Sequence, residues 1–224
     1  MRSNSTKGEP RSCMFYEREE LTGSVFRFGD VVRGFACCTP ILKKPLLDTT
    51  SSLYQIEVCT SHFSAILSPC CSIDNEILLL APLQALLPSF FQNPWLVEDF
   101  TRVNRKMPAE KSVPPHKWQS IPQEVKEREF DLENDGYAFD DFFVYKEHPL
   151  LPRYTVNLPN GPNQEIGYYI VDFKTAYRTN CDQIRRNKPH PVEAKLLQLS
   201  KESRSDLREK IAAYFARVPS EDRT

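Results

Sequence analysis

Cysteine is the residue type through which this chain could most readily do chemistry. It has seven, four of them in the vicinal pairs Cys37–Cys38 and Cys70–Cys71, with Cys59 between the pairs. On a strand, neighbouring side chains point to opposite faces, so only one thiol of each pair can face a given site. Zinc thiolates usually come from C-x₂₋₄-C spacing, and no C-x-x-C occurs here. A metal site would have to take one thiol from each pair plus His62. The expectation is no metal and no cofactor, with the thiols buried as small apolar groups. The sharper reading is a catalytic thiol. Cys70 and Cys71 lie in AILSPCCSIDNE, a turn following a strand, where functional side chains are often presented. Cys71 is then the candidate nucleophile, His62 the base that would activate it, and Arg33 a further candidate catalytic group.

The other reactive types form weaker patterns. His62, His116, His148 and His190 make no H-x-x-x-H or H-E-x-x-H, and His148–Pro149 and His190–Pro191 read as loops. The acids at 131–135 and at Asp140–Asp141 could hold magnesium or move protons, but an acidic run beside a turn signal reads as a solvated loop. Asp172-Phe173-Lys174 gives a D-x-K without an upstream acidic partner. Residues 182–217 are basic, and Arg185, Arg186, Arg204 and Arg208 are the candidate nucleic-acid contacts, with Tyr168, Tyr169 and Tyr177 as possible stacking surfaces.

Composition narrows what can position these groups. The net charge of −1 excludes a generally basic nucleic-acid coat and an acidic tail protein. At 40% hydrophobic, the chain is too apolar for wholesale disorder. Only 7 glycines stand against 18 prolines, and neither a P-loop nor a dinucleotide fingerprint is present. The opening MRSNSTKGEPRS has no apolar core of a secretory signal. The apolar run over 77–91 is short for a membrane span and is interrupted by Pro82, Gln84 and Pro88. Together with an odd number of cysteines, this predicts a cytoplasmic protein with reduced thiols.

The element pattern predicts an α+β protein. A polar lead covers 1–20. Over 21–90, short strands separated by turn signals suggest an antiparallel sheet or small barrel. VFRFGDVVRGFACC, LYQIEVCT, FSAILS and EILLLAPL are the strands, Gly29–Asp30 a turn, and TPILKKPLLDTTSS a loop. A helical and proline-rich insertion covers 91–140, including a short helix in NPWLVEDFTRVN and another in QEVKEREF. A sheet extension and a C-terminal amphipathic helix cover 141–224. The extension holds a strand in DDFFVY, a hairpin turning at 159–162 and a β run over 167–173. Ser200 is the predicted N-cap of the helix, with an apolar stripe of Leu207, Ile211, Tyr214, Phe215 and Val218 docking on the sheet. Prolines such as Pro40, Pro69 and Pro82 are expected at strand ends.

The stretch over 29–85 resembles the MazF/PemK-like family of small SH3-like barrels. The likeness rests on Gly29-Asp30-Val31-Val32, on His62-Phe63-Ser64-Ala65-Ile66-Leu67-Ser68, and on Ile77-Leu78-Leu79-Leu80-Ala81-Pro82. It implies an SH3-like/MazF-like antiparallel β-barrel, here with a proline-rich insertion and a C-terminal α-helix. The family includes toxin ribonucleases that cut single-stranded RNA without metal. This chain departs from the pattern where such chemistry resides. Phe63 and Ser64 replace an arginine and a proline, and Leu83 and Gln84 follow Pro82 where a hydroxyl residue is common. Phosphodiester cleavage needs a cation near the scissile phosphate and proton-transfer groups.

The resulting expectation is a non-catalytic interaction or regulatory protein of a microbial toxin–antitoxin or defence system, with another protein as partner and homo-oligomers possible. The alternatives are a metal-independent ribonuclease or RNA binder using Arg33, His62 and the C-terminal basic face, and a thiol enzyme or redox sensor using Cys70 or Cys71.

Overall fold

The computed structural model describes residues 14–18, 25–42, 54–60, 62–75, 77–92, 96–97, 99–104, 120–122, 124–125, 141–158, 162–180 and 195–216. Arg185, Arg186, His116, His190 and Val218 lie outside the described residues, as does most of the proline-rich insertion.

Eleven strands are described: β1 (Val31–Val32), β2 (Ala36–Leu42), β3 (Tyr54–Thr60), β4 (Ser64–Ile66), β5 (Ile77–Ala85), β6 (Phe142–Tyr145), β7 (Tyr154–Val156), β8 (Gln164–Ile166), β9 (Tyr169–Asp172), β10 (Tyr177–Asn180) and β11 (Lys195–Leu197). Among the described elements are the α-helices α1 (Cys70–Asp74) and α2 (Lys201–Phe215). The chain is therefore α+β. A seven-stranded sheet runs β11-β1-β4-β5-β9-β6, with β10 also on β5, and two two-stranded ribbons, β2–β3 and β7–β8, stand apart from it. All the pairings are antiparallel. No described helix is long and apolar enough to cross a membrane.

The hydrogen-bonded ladder is open, since no backbone pairing joins β6 to β11. The sheet nevertheless bends enough for its two end strands to share one core. Phe143 and Tyr145 of β6 pack in the same cluster as Leu197 of β11, Leu199, Val31, Ala65, Ala81, Leu83, Val171 and Leu207. The Tyr145 hydroxyl donates to the Gly29 carbonyl at 3.0 Å. The segment at 15–17 lies across the gap. It pairs with the chain beyond β11 through a Tyr16–Leu199 bridge and the bonds Glu17 N–H to Gln198 O and Ser200 N–H to Phe15 O. From there the Tyr16 hydroxyl reaches the Lys146 carbonyl, just past β6, at 2.6 Å.

Both faces of the sheet are covered, which explains the unbroken apolar run of β5. Leu79, Ala81 and Leu83 face the shared core, while Leu78 and Leu80 face a second cluster with Phe26, Val32, Ile66 and Ile73 of α1. A third cluster, under β6 and β9, is built from Val144, Ile170, Phe90, Phe100, Val156 and Ile166. The 3-10 turns Pro88–Gln92 and Phe100–Asn104 and the β7–β8 ribbon supply its outer half.

Pro82 lies inside β5, paired with Ser64, and does not end the strand as expected. Leu79 O and Leu83 N bond toward the β4 side, so by alternation the Pro82 nitrogen faces the other edge. On that edge β10 pairs Ile77–Leu80 and β9 pairs Leu83–Ala85, and the 3-10 turn Phe173–Thr175 interrupts the ladder between them. The missing N–H therefore falls where no ladder bond is made. Pro40 is likewise within a strand: β2 continues through Leu42, where the sequence suggested a loop from Thr39. A two-stranded ribbon has only edge strands, the setting in which proline is tolerated. SPCCS, read as a tight turn, is a short helix. NPWLVEDFTRVN is α-helical at Leu96–Val97 and has a 3-10 turn over Phe100–Asn104, and QEVKEREF is α-helical at Glu124–Val125.

The C-terminal helix docks as predicted. The Ser200 hydroxyl accepts the Ser203 N–H at 3.2 Å as its N-cap. Leu207 is fully buried, and Ile211 and Tyr214 pack beside it. Phe215, expected in the same stripe, is 66% exposed. Gly29 sits beneath this helix at φ 85°, and a Cβ there would stand 2.7 Å from Leu199 Cδ1 and 3.3 Å from Leu207 Cδ2. Only glycine satisfies both the backbone angle and the close approach.

Candidate functional site

Arg33 directly follows β1 and His62 precedes β4. Because Val32 pairs with Ser64, both lie at one end of these strands. Cys71 is exposed in α1, beyond the opposite end of β4. At about 3.3 Å per residue, the stretch from Phe63 to Leu67 alone separates the ends by roughly 13 Å. The fold thus brings Arg33 and His62 to one end and keeps Cys71 at the other. At the positions where the family pattern has its arginine and hydroxyl, Phe63 packs on the shared core and against the Tyr169 ring, and Leu83 is buried.

The two described arginines of the basic tail serve the fold. Arg204 donates from Nη2 to the Leu199 carbonyl at 2.9 Å. The Arg208 guanidinium lies 5.7 Å from the centre of the Phe28 ring. The D-x-K at Asp172–Lys174 is structural as well. Asp172 caps the 3-10 turn by accepting the Lys174 N–H, and the Lys174 ammonium pairs with Asp141.

Asp30, read as a turn residue and as part of the Gly29-Asp30-Val31-Val32 likeness, is at the centre of a buried charge cluster. Its Oδ2 lies 2.9 Å from Lys195 Nζ, with side-chain exposures of 0% and 7%. It also accepts the Arg27 N–H at 2.8 Å, whereas Oδ1 has no hydrogen-bond partner among the described residues. Lys195 further donates to Val25 O and Gln198 Oε1. A bulge positions this lysine. Val31 pairs with Leu197 and Val32 with Lys195, leaving Leu196 as the extra residue. Burial pushes the Asp30 carboxyl up to about 6 despite the lysine, and burial lowers Lys195. Both shifts express the cost of holding two charges out of water.

A concavity lies elsewhere. A cleft of about 500 Å³ is lined by Glu147, His148, Pro149, Leu151, Pro152, Arg153 and Gly167. Arg153 Nη1 meets Glu147 Oε2 at 3.2 Å and Nη2 donates to Glu165 O at 2.9 Å, so the β8 strand fixes the guanidinium. His148 Nδ1 accepts the Leu150 N–H at 3.2 Å, which leaves its proton on Nε2. The Tyr16 ring stacks edge-on against this imidazole with centroids 5.2 Å apart. Gly167 forms the floor, where a Cβ would come 2.8 Å from Glu147 Cβ. The cleft presents a carboxylate, an imidazole N–H donor and a guanidinium over a wall of leucine and proline. No Ser, Thr, Cys or Lys is among the described residues that line it. This arrangement can hold a ligand bearing both donors and acceptors.

Sequence reasoning assigned His148 to a loop and singled out neither Glu147 nor Arg153. The available signal was local: a charged H-P-L-L-P-R stretch following a β run, with one of the few glycines at 167. No protein-family model, no curated protein and no solved structure matches the chain.

Proposed function

We propose that the protein is a non-catalytic interaction module on an SH3-like, MazF/PemK-like barrel, engaging another protein within a microbial toxin–antitoxin or defence system. The barrel assignment draws support from the bend that puts β6 and β11 in one core and from the clasp of Tyr16 across the remaining gap. The observation that carries the functional reading is the fate of the positions at which the resemblance puts chemistry. Phe63 and Leu83 are apolar, and both pack into that core. Neither can stabilise a phosphate or shuttle a proton. The cleft beside His148, with its carboxylate, imidazole and guanidinium, is a surface that fits a partner's polar side chain.

The test is incubation of the purified full chain with single-stranded RNA in EDTA, beside a His62→Ala variant. Intact RNA is expected with both. Cleavage by the parent that disappears in His62→Ala would overturn the proposal in favour of a metal-independent ribonuclease.

A further inference from the structure

The β2–β3 ribbon places two cysteines at one register position. Its ladder runs without a shift from Ala36↔Thr60 to Leu42↔Tyr54, and within it Cys37 stands directly opposite Cys59. Directly opposed residues in an antiparallel pair have Cα atoms about 4.5 or 5.5 Å apart, depending on which of the two alternating environments they occupy. Both values fall within the range of about 4.4–6.8 Å that a disulfide spans. Opposed positions also share a face of the ribbon. Cys38 is opposite Val58 and belongs to the other face. Of the two vicinal cysteines, register therefore selects Cys37. Among the described residues the ribbon has no ladder to the seven-stranded sheet, so a cross-link at this level would reinforce a pairing of two strands.

We infer that Cys37 and Cys59 form a reversible thiol–disulfide site, oxidised by a small-molecule disulfide of the glutathione type. This inference is independent of the proposed interaction role. In the first step, the thiolate of one cysteine attacks a sulfur of the oxidant, forming a mixed disulfide and releasing one small thiolate. In the second, the thiolate of the other cysteine attacks the protein sulfur of that mixed disulfide, closing the Cys37–Cys59 bond and releasing the second small thiolate. Two protein thiols lose two electrons together, the oxidant gains them, and the two protons pass to the released thiolates. In a reducing compartment such a bond would be transient and would report on the thiol pool.

The experiment equilibrates the full chain in buffers of increasing oxidised-to-reduced glutathione ratio, blocks the remaining thiols by alkylation, and reads intact mass and disulfide-mapped peptides. The expected result is the loss of two alkylatable thiols in a single two-electron step, with a cross-linked peptide joining Cys37 to Cys59. Cys37→Ser and Cys59→Ser should each abolish this step, and Cys38→Ser should leave its midpoint unchanged. Direct mapping on the parent chain decides the matter even where a variant folds poorly. A bond from Cys59 to Cys38 or to Cys71, accumulation of mixed disulfides without ring closure, or no oxidation across the titration would each overturn the inference.

Discussion

At the β6 edge of the sheet, the finishing group is a neutral amide. Asn104, held in a 3-10 turn, donates to Val144 O and accepts from Val144 N–H, each at 2.7 Å, and so imitates one residue of a neighbouring strand. At the β11 edge, the finishing groups are the backbone of 15–17 and a buried ion pair, Asp30 with Lys195. Both edges are thereby kept from pairing with another chain, but by different physics. The amide makes two bonds that no proton between acid and neutral pH disturbs. The ion pair buries two charges, and its worth varies with their ionisation. One sheet thus has a pH-indifferent edge and a pH-dependent edge.

Replacing Lys195 gives the largest expected effect. Lys195→Met leaves the Asp30 carboxylate buried without its counter-charge, and a loss of about 3–5 kcal/mol is expected at pH 8. Denaturant titrations at pH 8 and pH 5 should show a smaller loss at the lower pH, where Asp30 takes up a proton. In the parent protein the same group sets a slope. Its carboxyl is raised from 3.8 to about 6 on folding, so between those values the folded state holds a proton that the unfolded chain has released. Its contribution to stability falls as pH rises through this window, by up to roughly 2–3 kcal/mol. Asp30→Asn should flatten that slope. A loss in Lys195→Met that is equal at both pH values would erase the proposed contrast between the edges.

Next in size is Asn104→Ala, which strips both partners from a buried backbone amide and carbonyl at Val144. A loss of roughly 3 kcal/mol is expected, the same at pH 5 and pH 8 in the same titrations. A pH-dependent loss here would blur the comparison from the other side. The smallest effect is expected for Arg208→Ala, which removes a guanidinium from the Phe28 ring near the β11 edge. Thermal unfolding should register about 0.5–1 kcal/mol. If the same substitution also weakened RNA binding in a salt-dependent way, the tail would regain its place as a nucleic-acid face.

Local signals in the sequence were read correctly where the physics is local. Ser200 caps its helix because a hydroxyl at that position satisfies a nearby N–H. β7 and β8 pair as the expected hairpin, and the turn at Gly29 follows from glycine's freedom at positive φ. The longest apolar run is indeed a strand buried on both faces. What escaped were pairings between distant parts of the chain. Nothing near Lys195 announces Asp30, 165 positions earlier in the chain, and nothing near Asn104 announces Val144. Pro82 was misplaced for the same reason: its tolerance depends on a ladder gap made by residues 173–175. The cleft was illegible because Glu147, Arg153 and Gly167 converge only after β6, β8 and β9 are assembled. Cys71 looked like a neighbour of His62 along the sequence, and the length of β4 parted it from His62 and Arg33, which share the opposite end.

The clasp at 15–17 has a consequence for the order of assembly. Its backbone partners are at 198–200, and the Tyr16 hydroxyl reaches past β6 to residue 146. β1 likewise waits for β11. As the chain leaves the ribosome, the segment at 15–17 has no backbone partner until 198–200 have been made, and β1, which can pair early with β4, waits as long for its second neighbour β11. Contacts of such sequence separation carry a large loop-closure cost and form late. Until then, the apolar faces of β4 and β5 are exposed to competitors. The protein is therefore most open to misassociation before this stage of synthesis, and the step that closes it is the docking of α2 over the turn at Gly29.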